Sequence, residues 1–401
     1  MNQFTDSALA PLSDEEPAAW SEARRAALKR HTEFETPILD AEAWKHDALK
    51  GFGLDAFEPG VEDVAFEGAE AVREVGGIVA TLPEAISDER ILAALLDADW
   101  PDSEAFFTTL ATAFAQRGAV ILVPRGKVIE EPIVLQRTLP EHGRAVFPLT
   151  LVILEENAEA TVIDRSKSEL GGTASLAVHP TYLSVGDASQ LSYLAIQDYA
   201  PDVWHFAPTR AKIGQEATVR TMIASLGGRH SRCVTESVLD GRGASTEMLG
   251  MYFGDEQQFI DHRTLQHHAA PNTTSELYYK GALAGKARSV YAGLVKIEHE
   301  ATDCDAKQAN RNLLLSDTAR ADASPFLEIL TSEVVGATHG VSVGRPDDEV
   351  LWYMQSRGLE YADARRLFVI GFFQEVIDRV RVAAVRERLE GFVEAELEQL
   401  R

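Results

Sequence analysis

The sequence predicts a mainly β protein, a parallel β-helix flanked by N-terminal and C-terminal α-helical regions. Three observations predict it. Helical periodicity is confined to the two ends of the chain. After Gly118 the apolar period shortens to that of strands. Short polar turns ending in Ala then recur at Ala158, Ala188, Ala217, Ala244, Ala287 and Ala319, at intervals of 30, 29, 27, 43 and 32 residues. A repeat near thirty residues marks a solenoid whose coils stack on one another. Each unit carries short strands and almost no helical pattern, which favours the β-helix over an antiparallel sandwich with regular turns.

Residues 1–116 form the first region. Ser13 to Glu16 has capping-box spacing ahead of Pro17, and Ala18 to Arg30 is rich in Ala and charge. Phe52 to Gly77 is broken by Gly and Pro and reads as irregular. Helical spacing returns over Glu84 to Leu96 and Ser103 to Gln116. Residues 117–343 are the solenoid. Runs such as Tyr193 to Ile196, Val219 to Ile223 and Val290 to Ile297 read as its inward-facing strands. Residues 344–401 return to helix. Asp347 to Arg357 begins acidic and ends basic, and Gly358 stops it. The next helix carries one stripe, Leu367, Ile370, Phe373, Val376, Ile377 and Val380. Phe368, Val369 and Phe372 widen it beyond one packing surface.

Composition narrows the function. The chain has 401 residues, 45% apolar and 25% charged, as a soluble globular protein does. No run approaches the length of a membrane span. The start, Met1-Asn-Gln-Phe-Thr-Asp6, lacks the pattern of a secretory leader. Two cysteines supply no disulfide framework, so a cytoplasmic setting is expected. A net charge of −25 repels nucleic-acid phosphate.

Several motifs invite a chemistry they do not support. Gly281 to Ala287 mimics a phosphate loop but has three residues between its glycines, and Ala287 where Ser or Thr should hold magnesium. His262, His267 and His268 suggest a metal site, yet on one strand His262 and His268 share a face and His267 does not. Cys233 follows Arg229, His230 and Arg232, cations that lower a thiol pKa, though a buried structural Cys is the commoner case. Cys304 lies between Asp303 and Asp305 and reads as unreactive. His339 precedes Gly340 where the solenoid gives way to helix, and a solenoid end leaves strand edges that must be covered.

Motifs in order along the chain resemble the SufB/SufD family, the scaffold subunits of SUF iron–sulfur cluster assembly. They are Pro37 to Lys45, Gly118 to Gly126 with Glu131 to Val134, His267 to Pro271 with Ser275 and Lys280-Gly281, Gln308 to Leu315, Pro325 to Glu328, His339-Gly340 and Ser356 to Gly358. The chain is more similar to the SufD branch. Ala319 stands ahead of Pro325 to Glu328, where SufB relatives carry a cluster-building Cys, and Gly340 stands where they carry Glu.

The resemblance implies a right-handed parallel β-helix and a non-catalytic scaffold. It implies pairing with SufB across the β-helix end, and docking of the ATPase SufC through the C-terminal helices. It points to His339 as a ligand for iron or a transient cluster at that seam. It points to Leu351, Tyr353, Arg357, Gly358, Phe368, Phe372, Glu375 and Arg379 as docking residues. ATP enters only through SufC, and no resident cofactor is implied. A SufB-like or homodimeric scaffold is the near alternative. A carbohydrate-active β-helix enzyme is the distant one, and it needs carboxylates clustered on one solenoid face.

Lysine is scarce beside arginine, 10 against 28. The acidity with few lysines reflects either a salt-adapted host or codon bias. Under salt adaptation, molar KCl raises the melting temperature through screening of carboxylate repulsion. An unchanged melting temperature selects codon bias.

Overall fold

The computed structural model describes residues 3–12, 16–38, 40, 42–46, 49–139, 143–168 and 173–399. Most of the Ser13 to Glu16 cap therefore lies outside the described residues. Two parallel sheets run the length of the solenoid. The first holds Ala119–Val123, Thr150–Leu154, Thr181–Val185, Val203–Ile213, His230–Leu239, Phe259–His268, Arg288–Ile297 and Arg320–Ile329. The second holds Ile133–Thr138, Glu159–Lys167, Gln190–Asp198, Thr218–Ser225, Ser245–Gly254, Thr274–Leu283, Cys304–Leu314 and Val334–Gly344. The chain alternates between the sheets, so each pair of strands is one coil.

The corners between the first sheet and the second explain the repeat. Six successive ones contain a residue in the left-handed region: Asn157, Ala188, Glu216, Gly243, Asn272 and Asp303. The N–H of each donates to a carbonyl of the next corner at 2.7–3.1 Å. A small buried residue follows each one: Ala158, Ser189, Ala217, Ala244, Thr273 and Cys304. Small side chains suit that place because the corners stack backbone on backbone. Ala287 and Ala319 stand at the opposite corner, leading back into the first sheet. The 43-residue interval is a change of corner, not a longer coil.

The lumen changes character along its length. Its early coils are aliphatic, with Ile121, Val152, Val162, Leu183 and Leu191 in one cluster. A buried ionic group sits among them, where Arg137 bonds Asp164 at 2.8 Å and Glu62 at 2.7 Å. Later coils carry tyrosines, histidines and amides. Gly250 and Gly281 make room for the rings: a Cβ at Gly281 would lie 1.9 Å from Tyr252, and one at Gly250 would lie 2.2 Å from Tyr279. The His262 ring lies 4.9 Å from the Tyr252 ring, and neither nitrogen has a hydrogen-bond partner among the described residues.

The N-terminal region is less helical than its sequence suggests. Helices span Ala18–Thr32, Glu89–Leu96 and Ala105–Phe114. The stretch read as irregular holds Asp63–Glu67, and Ile78–Ala80 follows. These pair antiparallel with Ile133–Thr138 and Ala119–Val123, closing the first edge of each sheet. Trp44 pins the N-terminal segment down. Its indole donates to Ser103 O at 2.9 Å, and the Arg232 guanidinium lies 3.7 Å from its ring centre.

The lumen histidines make stability depend on pH. Burial pushes His205 and His262 down to about 3 and His268 to about 4. Unfolded imidazoles protonate near pH ~6.5, whereas the folded chain refuses those protons until far lower pH. Stability is therefore full above that value and falls as pH drops below it, by roughly 1.4 kcal/mol per pH unit for each ring. We expect urea midpoints to fall steadily between about pH 7 and about pH 5. A flat midpoint over that interval rules out the burial described.

Candidate functional site

The far end of the solenoid is built differently from the near end. Arg320–Ile329 and Val334–Gly344 are the outermost strands of their sheets, and among the described residues nothing pairs with their outer edges. Their inward-facing side chains have no further coil above them. Leu327, Ile329, Val341 and Val343 are consequently exposed, and so is Phe326 on the outer face. An unfinished coil thus presents two strand edges around an apolar floor.

His339 sits in this end. It pairs in register with Gln308 of the preceding coil and is exposed. Ala337, two residues earlier, packs into the lumen with Val295 and Ala306. Alternation along the strand puts His339 on that same lumen side. An imidazole nitrogen is a donor type that iron accepts.

The three C-terminal helices are Asp348–Ser356, Tyr361–Ile377 and Ala383–Gln399. Asp347 caps the first, accepting from Glu349 N at 2.8 Å, and Gly358 ends it in the left-handed region. The second helix lies on the outer face of Ser245–Gly254 and Thr274–Leu283, with the third beside it. Its stripe is wide because it meets two surfaces. Val369, Phe373, Val376 and Ile377 are buried with Leu249, Phe253 and Leu389 in one cluster.

The eight residues expected to dock a partner therefore divide. Leu351 is buried at 3% exposure, and Phe368 and Phe372 are partly buried. Tyr353, Arg357 and Gly358 are exposed, beside Trp352 at 71%. Arg357 donates to the Tyr353 hydroxyl at 3.0 Å. Glu375 and Arg379 are engaged with the solenoid. Glu375 accepts from Lys280 Nζ at 2.7 Å and from the Tyr278 hydroxyl, and Arg379 meets Glu276 at 2.6 Å. Lys280 is 1% exposed and also donates to Phe372 O. The lysine of Lys280-Gly281 is thus the latch that holds the second helix. No local sequence signal links it to Glu375.

The decoys resolve as structure. His262 and His268 face the lumen, whereas His267 meets Glu298 at 2.9 Å on the other side. No group of three or more His, Cys, Asp or Glu among the described residues is placed to hold a metal. Burial pushes the Cys233 thiol up, so the nearby cations do not activate it. Cys304 occupies a stacked corner, 3.3 Å from Ala301 O. Gly281 lies in a strand, and Lys286 sits in a turn that leads to another strand, not a helix. No described helix is long and apolar enough to cross a membrane.

The fold is thus that of a parallel β-solenoid protein with one closed end, one open end and a latched helical flank. A family model described as SUF system FeS cluster assembly, SufBD core domain, matches residues 137–372. An iron–sulfur cluster assembly SufBD family protein of Mycobacterium tuberculosis is 40% identical over 286 residues, 70% of this chain and 71% of the relative. The iron–sulfur cluster assembly protein SufD of Escherichia coli is 26% identical over 371 residues, 88% of this chain and 87% of that protein. SufD of Bacillus subtilis is 25% identical over 288 residues, 72% and 66% of the two chains. The chain belongs to the SufBD family of SUF iron–sulfur cluster assembly.

The latch has a measurable consequence. Replacing Glu375 by Ala leaves the Lys280 ammonium with one acceptor fewer in a buried place. We expect a loss of about 1–2 kcal/mol, limited because the carboxylate is half exposed. Amide exchange in Tyr361–Ile377 should quicken while that in Val203–Ile213 stays unchanged. Equal protection in both proteins would show that apolar packing alone holds the helix.

Proposed function

We propose that this chain is a SufD-type scaffold subunit, non-catalytic, that completes its open coil against SufB. The observation that carries this reading is the unfinished rung bearing His339. Its exposed apolar floor and free strand edges suit a second solenoid end of similar shape. His339 supplies an imidazole to iron or to a nascent cluster at the seam, where the cluster is cargo. Thiolate and carboxylate come from SufB, because both thiols of this chain are buried, Cys304 beneath the last coil. Two free cysteines suit a reducing cytoplasm.

The ATPase SufC docks on the first C-terminal helix and its surroundings, through Trp352, Tyr353, Arg357 and Tyr361. ATP is bound by SufC and not by this chain. Motion of the docked helices reaches the solenoid through Lys280 and Glu375. In isolation the open end is available to a second copy, because the partners are similar in shape.

The test is reconstitution with a Cys-bearing paralogue and an ABC-type ATPase. His339→Ala is expected to lower cluster formation by the complex at least tenfold, with the melting temperature of this chain unchanged. Tyr353→Glu is expected to release the ATPase and leave the paralogue bound. Undiminished cluster formation with His339→Ala would remove the ligand role. A chain that co-purifies with neither partner would remove the scaffold reading.

A further inference from the structure

Gln308 is the most anomalous side chain near the open end. Its column across the second sheet is Thr221, Met248, Leu277, Gln308 and His339. The residue is 3% exposed, yet neither its amide oxygen nor its amide nitrogen has a hydrogen-bond partner among the described residues. A buried amide left unpaired is costly, and Met or Leu fills the same place two coils back and one coil back. The fold also gives up side-chain volume to keep it. At Gly293, across the lumen, a Cβ would lie 2.1 Å from Gln308 Nε2 and 2.3 Å from the Tyr291 hydroxyl. Gln308 and its glycine partner therefore form a fitted pair directly beneath His339.

We propose that Gln308 is a positioning residue for His339. The exposed imidazole turns about its side-chain torsions onto the amide below it. One ring N–H donates to Gln308 Oε1, which fixes the tautomer and leaves the other nitrogen's lone pair pointing out of the mouth. An imidazole ligand is commonly oriented in this way by a carbonyl acceptor behind it. The free amide then has a purpose that a structural glutamine lacks. This inference rests on the reading of His339 as a ligand for iron, but the hydrogen bond itself does not.

The bond is tested on the full isolated chain with nitrogen-15 histidine, by ring nitrogen shifts at about pH 8, where an ordinary imidazole is neutral. His339 is expected to show one dominant tautomer in the native chain. Gln308→Leu should return it to a mixture, and Gln308→Glu should restore the single form because a carboxylate also accepts. Gln308→Met keeps the side-chain length and serves if the branched residue misfolds. Identical His339 shifts in the native chain and the Leu or Met variant would overturn the proposal and assign Gln308 to lumen water.

The second arm uses ferrous iron without oxygen, titrated into the complex with the paralogue and the ATPase. Gln308→Leu should weaken binding about 10- to 100-fold. If the tautomer responds but neither Gln308→Leu nor His339→Ala changes iron binding, the positioning stands and the ligand role falls. If His339→Ala abolishes binding while the tautomer ignores Gln308, the ligand role stands and this inference falls.

Discussion

Everything in this molecule follows from stacking one coil's backbone on the next. Each rung satisfies its N–H and C=O groups with the rung before and the rung after. The corners obey the same rule, since the left-handed residue at each donates across to the next. Such a rod has no internal reason to stop, so its two ends must be dealt with separately. The near end is closed by two short antiparallel strands from the N-terminal region. The far end has no equivalent among the described residues. That asymmetry leaves one end of the rod finished and the other unfinished.

The lumen reflects the same division. Near the closed end it is packed with branched aliphatic residues, and its charges are neutralised in one network around Arg137. Towards the open end, rings and amides replace them, accommodated by Gly250, Gly281 and Gly293. Glycine inside a strand is unfavourable by itself. Three in this short stretch, each facing a large side chain, show that filling the lumen outweighed strand propensity.

Much of this was legible in the sequence, and the failures have physical causes. The repeat gave the solenoid, because a coil must return to the same corner after a set length of chain. It placed the corners imperfectly: Ala188 is the left-handed residue and Ser189 the small buried one, and Ala287 belongs to the opposite corner. Composition marks small residues without saying which side of the coil they turn. The strands Asp63–Glu67 and Ile78–Ala80 were missed because they are too short to show a period and pair with distant partners. The wide stripe of the helix Tyr361–Ile377 was read correctly as excessive for one surface, but the second surface is largely the neighbouring helix. The latch between Lys280 and Glu375 joins residues 95 apart and leaves no periodic trace.

The latch and the open end are neighbours, which gives the architecture a mechanical logic. Arg311 reaches Glu375 at 3.6 Å from Cys304–Leu314, the strand that pairs directly with the His339 strand. Arg365 of the same helix donates to Leu315 O at the end of that strand. The helix therefore grips the penultimate rung as well as Thr274–Leu283, where Lys280 and Glu276 meet Glu375 and Arg379. Packed strands deform little along their hydrogen bonds, so a displacement of this helix is shared by the coil that carries Lys280 and the penultimate coil beside it. The helical flank also runs back along the rod, since Ile163 and Leu194 of the early coils share its apolar cluster.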